Sequence, residues 1–141
     1  MKNSYLRHSY RRRNVTKLPV YKKAIHIFKL SRQIVEYLRG DTSVLELHKS
    51  QNQKDIYSDK LIMTSLGLAP KIAMAETSPD LNVKLASLSS LEQTTAALIQ
   101  YCEKLELKSG KGKEFLHLLR TEIKKFGHLQ SKWAVSIHSK N

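Results

Sequence analysis

Residues 81–107, LNVKLASLSSLEQTTAALIQYCEKLEL, contain the clearest helical repeat of the chain. Apolar or small residues recur there at a spacing of about 3.5 residues, the period of helices that pack in bundles. The preceding Ser78-Pro79-Asp80 is typical of a helix start, because it offers a capping oxygen, a proline for the first turn and a carboxylate at the positive end of the helix dipole. We therefore predict a long helix whose core stripe comprises Leu81, Leu85, Leu88, Leu91, Thr95, Leu98, Cys102 and Leu105.

Three further helices are predicted around this one. After the connection SGKGK, residues 113–137 carry a second apolar stripe, whose members are Phe115, Leu119, Ile123, Phe126, Gln130, Trp133 and Ile137. Near the start of the chain, Pro19 and Gly40 frame a helical run, since proline suits a first turn and glycine a C-terminal cap. Residues 57–76 form the remaining run, in which Pro70 predicts either a kink near Gly67 or two separate helices.

The predicted fold class is all-α, as an antiparallel up-down-up-down four-helix bundle. Residues 18–141 form the bundle domain, and residues 40–56 within it are a long polar connection or a short extra turn. Residues 1–17 lack a sustained period and are interpreted as a flexible basic arm. In this topology the first and last helices are neighbours, so charges that are remote in sequence come together.

Charge is segregated along the chain. The first 35 residues hold ten lysines and arginines and no acid. Residues 36–106 hold seven basic and ten acidic side chains, whereas residues 107–141 hold eight basic and two acidic side chains. Clustering at both ends builds a field that concentrates phosphate polymers. The alternative is a basic tail with solvated helix faces and no partner. The predicted nucleic-acid-binding residues are Arg7, Arg11, Arg12, Arg13 and Lys17 in the arm, with Lys22, Lys23, Lys29, Lys113, Arg120, Lys124, Lys125 and Lys132 on the first and last helices.

Several other classes of function find little support. Cys102 is the sole cysteine and no apolar run approaches the roughly 18 residues of a membrane span, so we expect a cytoplasmic protein. No nucleophile, base and orienting group can be placed together, and we predict no enzyme and no cofactor. Glu114 and His117 have the spacing of a di-iron ligand pair, but no second such pair exists and no metal site is expected. SGKGK is interpreted as a turn with cations, because it lacks the spacing of a phosphate loop.

The aromatic and apolar residues outside the stripes give weaker signals. Trp133 lies on an apolar stripe, which favours packing in the core or a subunit interface over stacking on a base. Tyr5 and Tyr10, which alternate with basic residues in the arm, are better candidates for stacking. The apolar residues Leu30, Tyr37, Leu118 and Val135 do not fit a single core and indicate a partner surface.

The segments LPVYKKAIHIFKLSRQIVEYL (18–38), KLIMTSLGLAPKIAMAE (60–76) and FLHLLRTEIKKFGHLQSKWAVSI (115–137) resemble one bacterial family of four-helix bundles. It includes the 23S rRNA intervening-sequence proteins and the accessory variability determinants of diversity-generating retroelements. The resemblance implies a non-catalytic bundle that assembles as a homopentamer. The basic character favours the accessory-determinant branch, whose members bind nucleic acid and a reverse transcriptase in mutagenic retrohoming.

Two alternatives to this function stay open. The first is a structural or rRNA-associated role of the intervening-sequence type. The second is a module that binds anionic membrane surfaces, since a basic amphipathic helix with a cationic arm can lie on lipid headgroups. Against the second, the apolar face of the first helix is expected to be needed for the bundle core.

Overall fold

The structure, a computed structural model, describes residues 14–40 and 43–139. These residues form helices and connections, with no strand among them. A 3₁₀ turn at Val15–Lys17 precedes six α-helices: α1 (Pro19–Arg39), α2 (Val44–Lys49), α3 (Gln53–Leu66), α4 (Leu68–Thr77), α5 (Leu81–Lys108) and α6 (Lys113–Ser139). The predicted all-α class is confirmed. Residues 1–13 of the predicted arm, with Arg7, Arg11, Arg12 and Arg13, lie outside the described residues.

A short turn precedes the predicted boundary at residue 18. Asn14 caps the 3₁₀ turn, because its side-chain oxygen accepts a hydrogen bond from the Thr16 amide at 3.1 Å. Val15 is partly buried against the core. Residues 14–17, assigned from the sequence to the arm, thus form a capped turn that leads into α1.

Capping residues explain where several helices start and stop. α1 begins at Pro19 and ends at Arg39, and the cap that follows is Gly40, which has a φ of +61° that glycine adopts without strain. α5 starts two residues later than the sequence signature suggested: Asp80 is the cap, and its carboxylate accepts from the Asn82 amide at 2.8 Å. Ser78 instead accepts from the Asp80 amide at 3.2 Å. Pro79 thus lies outside the helix rather than in its first turn.

The region around Pro70 forms two helices. α3 ends at Leu66 and α4 begins at Leu68, with Gly67 between them. Pro70 occupies the first turn of α4, where its missing amide proton would have no helical acceptor. Of the two predicted possibilities, the break rather than the kink is realised. The polar connection before α3 also contains an extra helix, α2, which a bond between His48 and Asp59 at 3.0 Å ties to α3.

The helices pack with α6 against α1 and α5, while α3 and α4 pack against the other sides of α1 and α5. The core between them is built from large apolar side chains. Fully buried members are Ile27, Leu61, Leu68, Ile72, Leu91, Leu98, Leu105, Leu116, Leu119, Ile123 and Phe126. The predicted adjacency of the first and last helices is therefore present.

The predicted core stripes of α5 and α6 are mostly buried, and the structure differs from them at a few positions. On α1 the core takes Val20, Ile27 and Ile34, whereas Tyr21 and Ile25 are only partly buried. On α6 Leu116 is fully buried, while the predicted Phe115 is 42% exposed. On α5, Leu81 is exposed and Thr94 rather than Thr95 is buried. At Phe115–Leu116 and at Thr94–Thr95, packing against neighbouring helices buries one member of an adjacent pair.

Two tertiary contacts fasten the ends of the molecule. At one end, the indole nitrogen of Trp133 donates to the Glu76 carboxylate at 2.9 Å, and both residues are buried. At the other end, Gly112 has a φ of +77°, and a Cβ there would lie 2.8 Å from the Leu38 side chain. The loop before α6 therefore requires glycine to approach the end of α1. Trp133 belongs to the core, as its stripe position predicted.

Candidate nucleic-acid interface

The contact between α1 and α6 brings the two basic segments of the chain side by side. Residues 14–35 contain five basic side chains and no acid. Residues 115–139 contain four basic side chains and one acid. The inward faces of both helices are apolar and buried, so the cations are left on the outside of the pair. We call the exposed lysines of this surface the basic face: Lys17, Lys22, Lys29, Lys124, Lys125 and Lys132.

Most lysines of the basic face are free to contact a ligand. Lys22 and Lys29 lie on the solvent side of α1, and Lys124 and Lys132 are exposed on α6. None of these four makes an ion pair with a described acidic residue. Their ammonium groups are therefore solvated cations that can exchange water and counterions for phosphate oxygens.

Glu122 is the acid at the centre of the contact between α1 and α6. Its carboxylate accepts a hydrogen bond from Lys23 at 3.0 Å and forms an ion pair with Lys125 at 3.1 Å. His26 Nδ1 lies 3.8 Å from the same carboxylate. The bond from Lys23, and next the interaction with Lys125, hold the pKa of Glu122 below its usual value. The carboxylate is thus ionised at neutral pH and fixes both lysines.

Two predicted binding residues have structural partners instead. Lys23 is half-buried and tied to Glu122 across the helix pair. Arg120 lies on the side of α6 that faces α5, where its guanidinium contacts Glu106 at 2.9 and 3.0 Å. The continuous surface predicted from the sequence is therefore smaller than expected, because Lys23 and Arg120 hold helices together.

Lys113 is exposed but lies at the opposite end of α6 from Lys132. Nineteen residues of helix separate them, which is a distance of about 28 Å at the helical rise of ~1.5 Å per residue. Near Lys113 lies a group of which the sequence analysis singled out only Tyr37, as part of a partner surface. The rings of Tyr37 and Phe115 meet edge to face with centroids 5.3 Å apart, and Lys111 Nζ lies 4.7 Å from the Tyr37 centroid.

Of the other chemically distinctive residues, Cys102 is buried in the core. Burial, and next the nearby Glu106 carboxylate, raise the pKa of the Cys102 thiol to about 12. This thiol is therefore protonated and shielded, in keeping with its predicted role as a small core residue. Glu114 and His117 are both exposed, and His117 Nδ1 is 3.0 Å from Arg120. Across the described ranges, no three histidine, cysteine, aspartate or glutamate residues are grouped to hold a metal ion.

Comparisons with known proteins returned no relative. No family model, no curated protein and no solved structure matches the chain. Among the helices that the structure describes, none is long and apolar enough to cross a membrane.

Proposed function

We propose that this protein is a non-enzymatic nucleic-acid-binding protein that contacts the phosphate backbone through the basic face. The observation that carries the proposal is the set of exposed lysines on two adjoining helices that pair with no described acid. At the same surface Glu122, the only acid of residues 115–139, is paired with Lys23 and Lys125. Repeated cations without a base-reading element favour phosphate contact that is nearly independent of sequence. RNA and DNA are both ligands of this kind.

The proposal includes the antiparallel up-down-up-down bundle, with α3 and α4 together as its second member. Contacts at successive levels support this arrangement. Tyr37 near the end of α1 meets Phe115 at the start of α6, while Leu18 and Pro19 at the start of α1 share a small groove with Trp133 near the end of α6. Lys54 at the start of α3 donates to the Leu38 carbonyl at 3.2 Å, whereas Leu66 and Ala69 lie beside Ala24.

The alternative of membrane-surface binding is less well supported by the packing of α1. Binding to headgroups would require the apolar face of α1 to enter the lipid. That face consists of Val20, Ile27, Ile34 and their neighbours, which are at most 4% exposed in the fold. Lipid insertion would therefore require the bundle to open.

The family resemblance extends the proposal to partners. On this basis the protein acts in the cytoplasm as an accessory factor of a reverse transcriptase in a diversity-generating retroelement, and assembles as a homo-oligomer with five subunits. The intervening-sequence type of role, structural or associated with rRNA, is the second candidate. Copurification with a reverse transcriptase encoded beside this protein, and the mass of the assembly by light scattering, test these two extensions.

The nucleic-acid proposal is tested by titrating labelled RNA and DNA oligonucleotides over a range of salt concentrations. We expect binding to both, with little dependence on sequence and a log–log salt slope of about −0.7 for each phosphate contact with a single strand. Anionic vesicles serve as the comparison ligand. A flat salt response, absence of binding at low salt, or preference for the vesicles would contradict the proposal.

A further inference from the structure

The Tyr37–Phe115 pair lies at the surface, where folding alone does not account for two large aromatic side chains. Tyr37 is 46% exposed and Phe115 is 42% exposed, although large aromatic side chains normally contribute most when buried. Their edge-to-face contact fixes each ring against the other. Because Gly112 packs directly on Leu38, the backbones on either side of the pair are held together. The two rings therefore form a preorganised aromatic surface rather than two mobile side chains.

Cations surround this aromatic surface. Lys111 lies over the Tyr37 ring, and Lys108 and Lys113 are exposed at the ends of α5 and α6. Glu36 and Glu114, which adjoin the two rings in sequence, are exposed acids of the same region. A lysine held over an aromatic ring by a cation–π contact can exchange the ring for a phosphate. The group thus combines a π surface for a base with ammonium groups for the adjacent backbone.

The aromatic pair lies on the same two helices as the basic face. Seventeen residues of α6 separate Phe115 from Lys132, or about 26 Å at the helical rise of ~1.5 Å per residue. Between them, Leu118 is 50% exposed and Leu30 is partly buried. A single strand of several nucleotides spans this distance. One strand can therefore contact the lysines at one end and the rings at the other.

We propose that Tyr37 and Phe115 form a stacking platform for unpaired bases, which makes single-stranded nucleic acid the preferred ligand. This inference rests on the proposed function and specifies its ligand class. In a duplex the faces of the bases are covered by their neighbours, whereas in a single strand they are available to aromatic side chains. Lysines alone bind any polyanion. Stacking on the platform would therefore distinguish single-stranded nucleic acid from a duplex.

The experiment compares two strands of equal length and charge: a fluorescein-labelled oligothymidylate and the same sugar–phosphate chain without bases. The variants are Phe115→Leu and Tyr37→Leu, which keep an apolar side chain but remove the π face. Base stacking on an aromatic residue contributes ~1–3 kcal/mol, so each variant should bind oligothymidylate about tenfold more weakly. Binding to the abasic strand should change by less than about twofold.

Phe28→Leu is the matched control. Phe28 is an aromatic residue of the same helix as Tyr37, but it lines a groove with Leu66 and Pro70 on the side of α3 and α4. This variant should bind both strands as the wild type does. Thermal melting followed by circular dichroism verifies the fold of each variant, and the two platform variants test the proposal independently.

Three results would overturn the inference, and they have different consequences for the proposed function. If the wild type binds the two strands equally and the variants change nothing, the platform is wrong while phosphate binding stands. If neither strand binds at low salt, the proposed function fails as well. If Phe115→Leu or Tyr37→Leu changes the mass of the assembly in light scattering, the rings form a contact between copies of the chain and not a base platform.

Discussion

The basic face of α1 and α6 and the outer face of α3 and α4 lie on different sides of the molecule and have opposite character. On α1 and α6, exposed lysines recur along the helices. From Leu61 to Thr77 the only charged residues are Lys71 and Glu76, and Glu76 is buried. The exposed residues of this segment are mainly apolar: Met63, Leu66, Pro70 and Met74. We call them the apolar face.

Two shallow apolar grooves flank the apolar face, and Pro70 lines both. One lies between α4 and α5 and has a volume of about 400 Å³, with Met74 and Val83 in its walls. The other lies between α1 and the break at Gly67 and has a volume of about 260 Å³. The grooves and the basic face are thus separate surfaces of one helical core.

The comparison shows that the side chains at outward-facing positions are not determined by the requirements of folding. Both faces belong to helices whose inward sides are equally buried and apolar. Burial of those inward sides stabilises the fold, whereas outward residues are constrained chiefly by solubility and by partners. Concentration of cations on one face is therefore evidence for a ligand there. The following changes test whether the two faces differ in binding as they differ in composition.

Reversing three lysines of the basic face should have the largest effect. In the variant Lys22→Glu, Lys29→Glu, Lys132→Glu, all three positions are exposed, so the fold should be retained. Phosphate contacts are replaced by repulsion, and affinity for a single-stranded oligonucleotide should fall by on the order of 100-fold at low salt. Anisotropy titration measures the change.

The matched control reverses three exposed lysines elsewhere: Lys49→Glu, Lys60→Glu, Lys104→Glu. Both variants change the net charge by the same six units. If the control loses as much affinity as the first variant, total charge rather than the basic face controls binding, and the distinction between the two faces disappears.

Removing the charge of Glu122 should strengthen binding while weakening the fold. Glu122→Gln frees Lys23 and Lys125 from their fixed counter-charge, so affinity should rise about two- to fivefold. The free energy of unfolding at pH 7 should decrease by about 1 kcal/mol, because partly buried charged hydrogen bonds are lost. Titration and denaturant unfolding measure the two effects. A loss of affinity would show that Glu122 positions the lysines for the ligand.

The pH dependence of this variant follows from the direction of the pKa shift. The pKa of Glu122 in the fold lies below the usual 4.5, so its stabilising contribution is present above that value and is lost as the pH falls through the lowered pKa. The stability difference between wild type and Glu122→Gln should therefore be full at neutral pH and vanish in strong acid. Unfolding measured across this range checks the sign.

Adding acids to the apolar face should have the smallest effect on nucleic-acid binding. Met63 and Met74 are 54% and 52% exposed, so the variant Met63→Glu, Met74→Glu should fold. At physiological salt the field of exposed charges is screened within about 8 Å, and affinity should change by less than about twofold. A loss comparable to that of the lysine reversal would mean that the ligand wraps around the molecule. Light scattering of the same variant reports any role of this face in assembly.

Local sequence signals predicted the helical regions and most of their buried positions. Pro19 with Gly40 and the leucine repeat of residues 81–107 gave the helical regions, because capping and periodicity are local properties. At the start of α6 the sequence prediction placed Phe115 in the core rather than Leu116, which is adjacent and also apolar. Only contact with the neighbouring helices distinguishes such a pair, and it buried Leu116.

The sequence by itself determined the helical class, the segregation of charge and the buried, unreactive Cys102, since each follows from composition or from the helical period. Tertiary structure decided which cations are available. It fixed Lys23 at Glu122 and Arg120 at Glu106, and it brought Tyr37 to Phe115 across 78 residues of chain. The physical reason is that periodicity gives the side of a helix on which a residue lies, whereas its partner depends on how helices that are distant in sequence pack together.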